Sequence, residues 1–419
     1  MPWKRSLPCR CGPAAGGGSL PIMNPVFHSW AFRRLCFSVA FSAASASADF
    51  VLVGWLALQA AGSPAWVGVA FALYYVPMLV LGVPAGSLAD RYDRYRLIRG
   101  LELAGAAILL AFALVFALVQ PGLVLALVLP LVLGSLRAVQ STVRLSFAYD
   151  LVGPDNLTPA LAGTSVGTRL GMIAGALVAG AVAQHYGAAL AFLLMAASHG
   201  AAWAVLGSGL QTASIQKPDT TPLLRNLRDS AAEVARNRLL LTLIVVTAVV
   251  EVFGVSFLTL VPSLAQDRLA LGAQGMGWMQ AVQSAGGLLA GLVMFALPPL
   301  RRNAAAYAAS ILCLGLAVMA LGVAAGLAAH LIVLATISAA IAVWDILTQS
   351  MMQRSVPDHL RGRAMGAWVF AIGSAPLGHL QIGLLAASLG SAQALVINGA
   401  CVVGVIAVAM LVSRALRRL

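Results

Sequence analysis

Six ionisable side chains are clear cases inside long apolar runs of this chain: Asp49, Glu102, Arg137, Arg169, Glu251 and Asp345. An Asp, Lys or Arg at the centre of a bilayer costs about 2.5–3.5 kcal/mol even on the lenient insertion scale, so such residues pair with one another or line a wet cavity. The chemistry open to them is proton exchange. A carboxyl group in apolar surroundings keeps its proton and releases it when a cation or a water path reaches it, which ties the proton to the arrival of another ligand. Asp49 or Glu251 acting with Arg137 fits that switch, with Gln140, Arg169 and Asp345 as further substrate-facing or coupling candidates. A static buried ion pair that fixes helix register fits the same residues. For Glu102 the expectation is a structural pair with the nearby arginine cluster of Arg91, Arg94, Arg96 and Arg99. Gln280, Gln283 and Trp344 are candidates for the same cavity, although polar helix contacts explain the glutamines equally well.

Other chemistries find no support in the spacing. There is no Gly-rich nucleotide loop, no G-x-S-x-G and no His-Glu-x-x-His, so neither an enzyme nor a primary pump is expected. None of His28, His185, His199, His330, His359 or His379 makes a spaced metal pair. Cys36, Cys313 and Cys401 sit in apolar runs, and the Cys9–Cys11 pair has no histidine partner. No metal and no cofactor are expected.

The elements that must position these charges are membrane helices. Of 419 residues, 61% are hydrophobic and 9% charged, against about 45–50% and about 25% in soluble domains. Runs of about 20 apolar residues, broken at Gly, Pro and charge clusters, divide the chain into twelve spans: 35–60, 65–89, 98–119, 123–149, 160–184, 188–209, 239–262, 276–298, 304–325, 330–352, 364–387 and 393–413. The net charge of +13 does not signal nucleic acid, because the basic residues cluster between spans. Twenty-two of them fall on the side of the termini, one (Arg268) falls opposite, and Arg137, Arg144 and Arg169 fall inside spans. Both termini are therefore expected in the cytoplasm. The first 22 residues are Pro/Gly-rich and lack a signal-peptide core; they read as a tail, with Met23 an alternative start.

Residues 210–238 are the longest polar stretch and split the spans six and six. Leu223, Leu227, Ala231 and Val234 recur there at helical spacing, as in an amphipathic helix on the membrane surface; a solvated linker is the alternative. The halves carry traces of duplication. An offset of 203 pairs Pro154-Asp155-x-Leu157 with Pro357-Asp358-x-Leu360, and Gly163, Gly175, Gly180 and Gly187 with Gly366, Gly378, Gly383 and Gly390. Asp49 and Glu251 are expected at similar depths in the first helix of each half, and Arg137 and Asp345 in the fourth. Two six-helix halves around a midplane site is an architecture of secondary transporters.

The loop after the second span, Gly86-Ser87-Leu88-Ala89-Asp90-Arg91-Tyr92-Asp93-Arg94-Tyr95-Arg96, resembles the signature loop of the major facilitator superfamily, with Asp93 where the family has Gly and Tyr95 where it has Lys. By this resemblance Gly86, Asp90, Arg91 and Arg94 form a cytoplasmic gate, with Asp90 as its latch and Arg144 as the partner. Arg137-x-x-Gln140 is similar to the family's fourth-span motif. Gly171-x-x-x-Gly175-Ala176-x-x-Ala179-Gly180 is similar to its antiporter motif, with Ala176 in place of Pro and Ala179 in place of Gly. The whole resembles the twelve-span branch of drug–proton antiporters and enterobactin (siderophore) exporters.

These readings imply an all-α membrane protein of the major facilitator fold. Its parts would be a tail (1–34), a six-helix half (35–209), a cytoplasmic linker (210–238), a second half (239–413) and a short tail (414–419). The expected function is proton-coupled efflux of a small siderophore-like or drug-like molecule across the cytoplasmic (inner) membrane by alternating access. Expected partners are that substrate, protons and membrane lipid, with the chain acting as a monomer. Uptake or facilitated transport of a metabolite is the alternative, followed by a non-transporting sensor.

Overall fold

The computed structural model describes residues 29–119, 122–152, 157–207, 237–296, 303–356 and 361–417. The N-terminal tail up to residue 28, the amphipathic stretch of the central linker, Pro154–Asn156 and Pro357–Leu360 lie outside the described residues. The described residues are all-helical, with twelve helices long and apolar enough to cross a membrane and no strand. In chain order they are α1 Trp30–Ala61, α2 Pro64–Arg91, α3 Arg94–Leu118, α4 Leu123–Val152, α5 Leu157–Tyr186, α6 Ala188–Leu206, α7 Arg238–Arg268, α8 Ala273–Ala296, α9 Asn303–Val323, α10 Gly326–Arg354, α11 in two pieces (Arg361–Ile372 and Ala375–Leu389) and α12 Ser391–Val412. Helices suit this composition because each one satisfies its own backbone polar groups where no water is present to do so.

Local sequence sets the ends. Gly62 closes α1 at φ +61° with its N–H on the Leu58 carbonyl, and Ser63 caps α2 just before Pro64. Asp93 caps α3, its Oδ1 accepting from the Arg96 N–H at 2.8 Å. That bond gives a physical use to the side chain that replaces the family's Gly in the signature loop. Several helices run a few residues beyond the apolar spans read from sequence, because charged end residues such as Arg94 and Arg354 continue the helix past the hydrocarbon. Two departures from regular helix were not legible. Helix α7 widens to π-turns at Val250–Val255 and Leu264–Arg268 and tightens to a 3-10 turn at Ser256–Leu260, next to Pro262, which has no N–H to donate. Helix α11 breaks at Gly373-Ser374, where the Ser374 hydroxyl donates to the Ala248 carbonyl of α7.

The two sixes pack alike. In the first half α1 lies on α5, α2 on α4 and α3 on α6; in the second α7 lies on α11, α8 on α10 and α9 on α12. The glycines paired by sequence do the same work in each half. A β-carbon on Gly175 of α5 would lie 2.5 Å from Ala44 Cα of α1, and one on Gly378 of α11 would lie 2.7 Å from Val252 Cα of α7. Gly187 and Gly390 both hold positive φ, +87° and +89°, at the starts of α6 and α12.

The halves meet along two seams, α2 against α11 and α5 against α8. Gly68 and Gly383 touch in the first, Gly180 and Gly277 in the second. All four lie toward the end of the bundle that carries the α1–α2 and α7–α8 turns. At that end Gln59 also donates to Gln266 at 3.1 Å across the halves. Contacts between halves also occur toward mid-helix, at Leu79 against Gly373 and Arg169 against Gly287.

Candidate functional site

Helix α1 supplies a polar stripe to the first half. Ser38, Ser42, Ser45 and Asp49 recur at steps of four, three and four residues, which puts them on one helical face, and all four are buried. From α4, Arg137 reaches this face. Its Nε lies 2.8 Å from Asp49 Oδ2, and its other nitrogens donate to Ser45 Oγ (3.0 Å), the Ser42 carbonyl (3.3 Å) and Gln140 Oε1 (3.1 Å). The Tyr74 hydroxyl of α2 donates to Asp49 Oδ2 at 3.4 Å. Asp49 is wholly buried, so its charge is balanced inside its own half.

A second cluster lies beside the first. Arg144, also on α4, donates to Glu102 Oε1 of α3 and to Ser42 Oγ, at 2.8 and 2.7 Å. The other oxygen of Glu102 lies 2.6 Å from His199 Nδ1 of α6. Gly105 makes room for that imidazole, since a β-carbon there would come within 3.1 Å of the ring. This corrects the expectation for Glu102: its partners are Arg144 and His199, not the arginines of the signature loop. The reason is the face of α3 on which it sits, turned toward α4 and α6. Arg99 of that loop cluster lies instead over the Trp203 ring, 4.6 Å from its centroid. The side chains of Gly86, Asp90 and Arg91 lie outside those described, so the latch contact of Asp90 does too; Arg144, its expected partner, is engaged by Glu102 and Ser42.

The second half is arranged differently. Glu251 sits in the first π-turn of α7, 8% exposed, with no hydrogen-bond or ion-pair partner among the described residues. It lies within electrostatic reach of Asp345 on α10 and of Tyr75 on α2, across the seam. Asp345 lies within electrostatic reach of Arg169, whose guanidinium packs on Gly287 of α8. Gln280, Gln283 and Trp344 are buried, with Gln283 Nε2 and Trp344 Nε1 unpartnered. The expected equal depth of Asp49 and Glu251 does not hold. Ala44 faces Gly175 as Val252 faces Gly378, so Glu251 matches Ala43, six positions from Asp49. At about 1.5 Å per residue the two carboxylates are about 9 Å apart in register along their helices.

Sequence reasoning passed over two histidines and an aromatic cluster. His379 of α11 hydrogen-bonds Thr259 at 2.8 Å and stacks on Tyr75 of the opposite half, ring centroids 5.0 Å apart. Phe50, Phe71 and Tyr74 surround the same place. The signal was faint: a Tyr-Tyr pair in an apolar helix reads as lipid-facing. No group of three or more potential metal ligands occurs among the described residues.

Twelve helices in two alike halves, with charges buried inside the bundle, define a membrane transporter of the two-half type. The family model of the Major Facilitator Superfamily matches residues 35–379, and the chain belongs to that superfamily. Among solved structures it is similar to a mutant of the nucleoside transporter NupG (12% identity, TM-score 0.77, covering 91% of this chain and 99% of that one). It is also similar to a mutant peptide transporter POT in complex with alafosfalin (14%, 0.74, 92% and 95%). A third is a bacterial homologue of the human lysosomal transporter Spinster in an inward-facing and unoccupied conformation (14%, 0.72, 96% and 99%). At these identities the likeness is one of fold. No curated protein sequence matches this one.

Proposed function

We propose that this chain is a proton-coupled exporter of the cytoplasmic (inner) membrane, with both termini in the cytoplasm, carrying a small siderophore-like or drug-like molecule outward by alternating access. The observation that supports this reading is the gathering of described contacts between halves at the α1–α2 end, where Gly68 meets Gly383, Gly180 meets Gly277 and Gln59 bonds Gln266. With the termini read as cytoplasmic from the excess of basic residues, that end lies on the outer side and leaves the cytoplasmic side for an exporter to load from.

Rocking about the Gly68–Gly383 and Gly180–Gly277 seams would open the outer end, while the loop of Gly86, Asp90, Arg91 and Arg94 latches the cytoplasmic one. Proton exchange falls to the intramembrane carboxylates. Asp49 is held by Arg137, and Gln140, expected to face substrate, is bonded to Arg137 and the Leu101 carbonyl within the first half; Glu251 is free to take and release a proton, and Arg169 and Asp345 are the remaining contacts for substrate. One chain supplies both halves of the cleft, so a monomer suffices.

The test is flux into everted membrane vesicles of a catecholate siderophore, a macrolide and a lipophilic cation. Accumulation driven by an acidic lumen and abolished by a protonophore is the expected result. Accumulation only in right-side-out vesicles would establish uptake, and no flux in either would leave a sensor.

A further inference from the structure

At the end that carries the N-terminus, helix α1 is covered on every side but one. Its serine stripe turns to α4, where Arg137 bonds Ser42 and Ser45. The carbonyls of Cys36, Ala40 and Ala44 turn to Gly167, Gly171 and Gly175 of α5. Toward α6, Arg34 Nε donates to the Val205 carbonyl at 2.8 Å, and the Ser198 hydroxyl donates to the Phe41 carbonyl at 2.7 Å. Between the lines of contact to α5 and α6 run Trp30, Arg33, Phe37 and Phe41, at steps of three, four and four residues on one helical stripe. Trp30, Phe37 and Phe41 are 66%, 61% and 39% exposed, and Arg33 is exposed among them. The stripe faces outward from the first half, away from the seams with the second.

The stripe has a charged head and an apolar body. The Arg33 guanidinium lies 5.3 Å from the Trp30 ring centroid, and the Arg34 guanidinium fills the space that a β-carbon on Gly207, at the end of α6, would need. Neither arginine has an acidic partner among the described residues. At about 1.5 Å per residue, Phe37 and Phe41 lie about 6 and about 12 Å deeper along α1 than Arg33. A surface helix of the kind read in residues 210–238 buries its apolar face only about 5–10 Å and would stop short of Phe41; an acyl chain would not. Two arginines without acids favour a headgroup with net negative charge over one that carries its own cation. We propose that this stripe is the seat of one anionic phospholipid in the leaflet at the termini, its phosphate held by Arg33 and Arg34, Trp30 at headgroup level and an acyl chain along Phe37 and Phe41. Seated there, the lipid spans the same α1–α6 contact that Arg34 makes and stabilises the first half. The seat is independent of what the protein carries and in which direction.

Phosphatidylglycerol and phosphatidylcholine with the same acyl chains are the probes, added to the delipidated full-length protein in detergent, with bound lipid counted by native mass spectrometry and thermal unfolding followed alongside. One phosphatidylglycerol is expected to bind at least about fivefold more tightly than phosphatidylcholine and to raise the unfolding temperature. Arg33→Gln should remove about fivefold of the phosphatidylglycerol affinity and leave phosphatidylcholine unchanged, while Arg33→Lys should restore most of the loss. Phe37→Ala combined with Phe41→Ala should weaken both lipids alike, because it removes contact with the chains and not with the head. Arg417→Gln, an exposed arginine that belongs to the second half, should change neither. Equal binding of the two lipids, Arg33→Gln without effect or with no more effect than Arg417→Gln, or unchanged binding in the double phenylalanine variant would overturn the proposal. Equal stabilisation by glycerol phosphate alone would overturn it too, since the arginines would then hold a free anion and not a lipid.

Discussion

The first half of this transporter neutralises its own buried charges and the second does not. Arg137 and Arg144, seven residues apart on α4, occupy the acids of α1 and α3 and share Ser42 between them. The result is a continuous network from Tyr74 to His199 that ties five helices together. Glu251, in the helix that matches α1, has no such arginine. The same architecture built twice has thus been put to two uses, one half as a fixed scaffold and the other with an open charge. What the difference teaches is that intramembrane charge alone does not say whether a side chain is paired; the face its helix turns to its neighbours decides that.

The sharpest way to break the comparison is to take the partner away from the paired half. Arg137→Gln strands Asp49, wholly buried, and should cost about 3–5 kcal/mol in unfolding experiments in detergent. The double variant Asp49→Asn/Arg137→Gln should recover most of that loss; failure to recover would mean that the pair is not what holds α1 to α4. A smaller effect probes the duplication. Gly187→Ala and Gly390→Ala each force a β-carbon into a positive-φ position and should cost about 1–3 kcal/mol, alike in the two halves. Unequal losses would show that the halves are not mechanically equivalent at these turns. Glu251→Gln should not lower stability, because no partner is lost and an uncompensated buried carboxyl is removed; a large drop would reveal a hidden partner and weaken its assignment as the open charge. The smallest change is Asp93→Gly, restoring the family's residue, which should cost only a few tenths of a kcal/mol through the lost cap on α3.

Much of the fold was legible because the membrane enforces simple rules. Apolar runs of spanning length gave the twelve helices, and the offset of 203 picked out Gly175 with Gly378 and Gly180 with Gly383 before any packing was known. Those pairs read well because a close backbone approach tolerates only Gly, whatever surrounds it. The site was legible in its membership and less so in its pairing. That Asp49 and Arg137 lie near one another followed from both being costly in lipid. That Glu102 meets His199 and Arg144 did not, since which face of α3 turns to which neighbour depends on helix rotation, and a mean hydropathy carries no rotation.

By itself the sequence determined what lipid and water dictate: the number of helices, the excess of positive charge on one side, the residues too polar to face hydrocarbon and the repeated glycines. These are one-body properties, set by each segment against its solvent. Only the tertiary structure decided which charges cancel. It shifted Glu251 six positions from the register of Asp49, and it put Arg137 on the Asp49 carboxylate and the ring of His379 against Tyr75. Those are two-body facts, fixed by helix rotation and by the local widening of α7, where a few degrees decide whether a buried carboxylate meets an arginine or an open cleft.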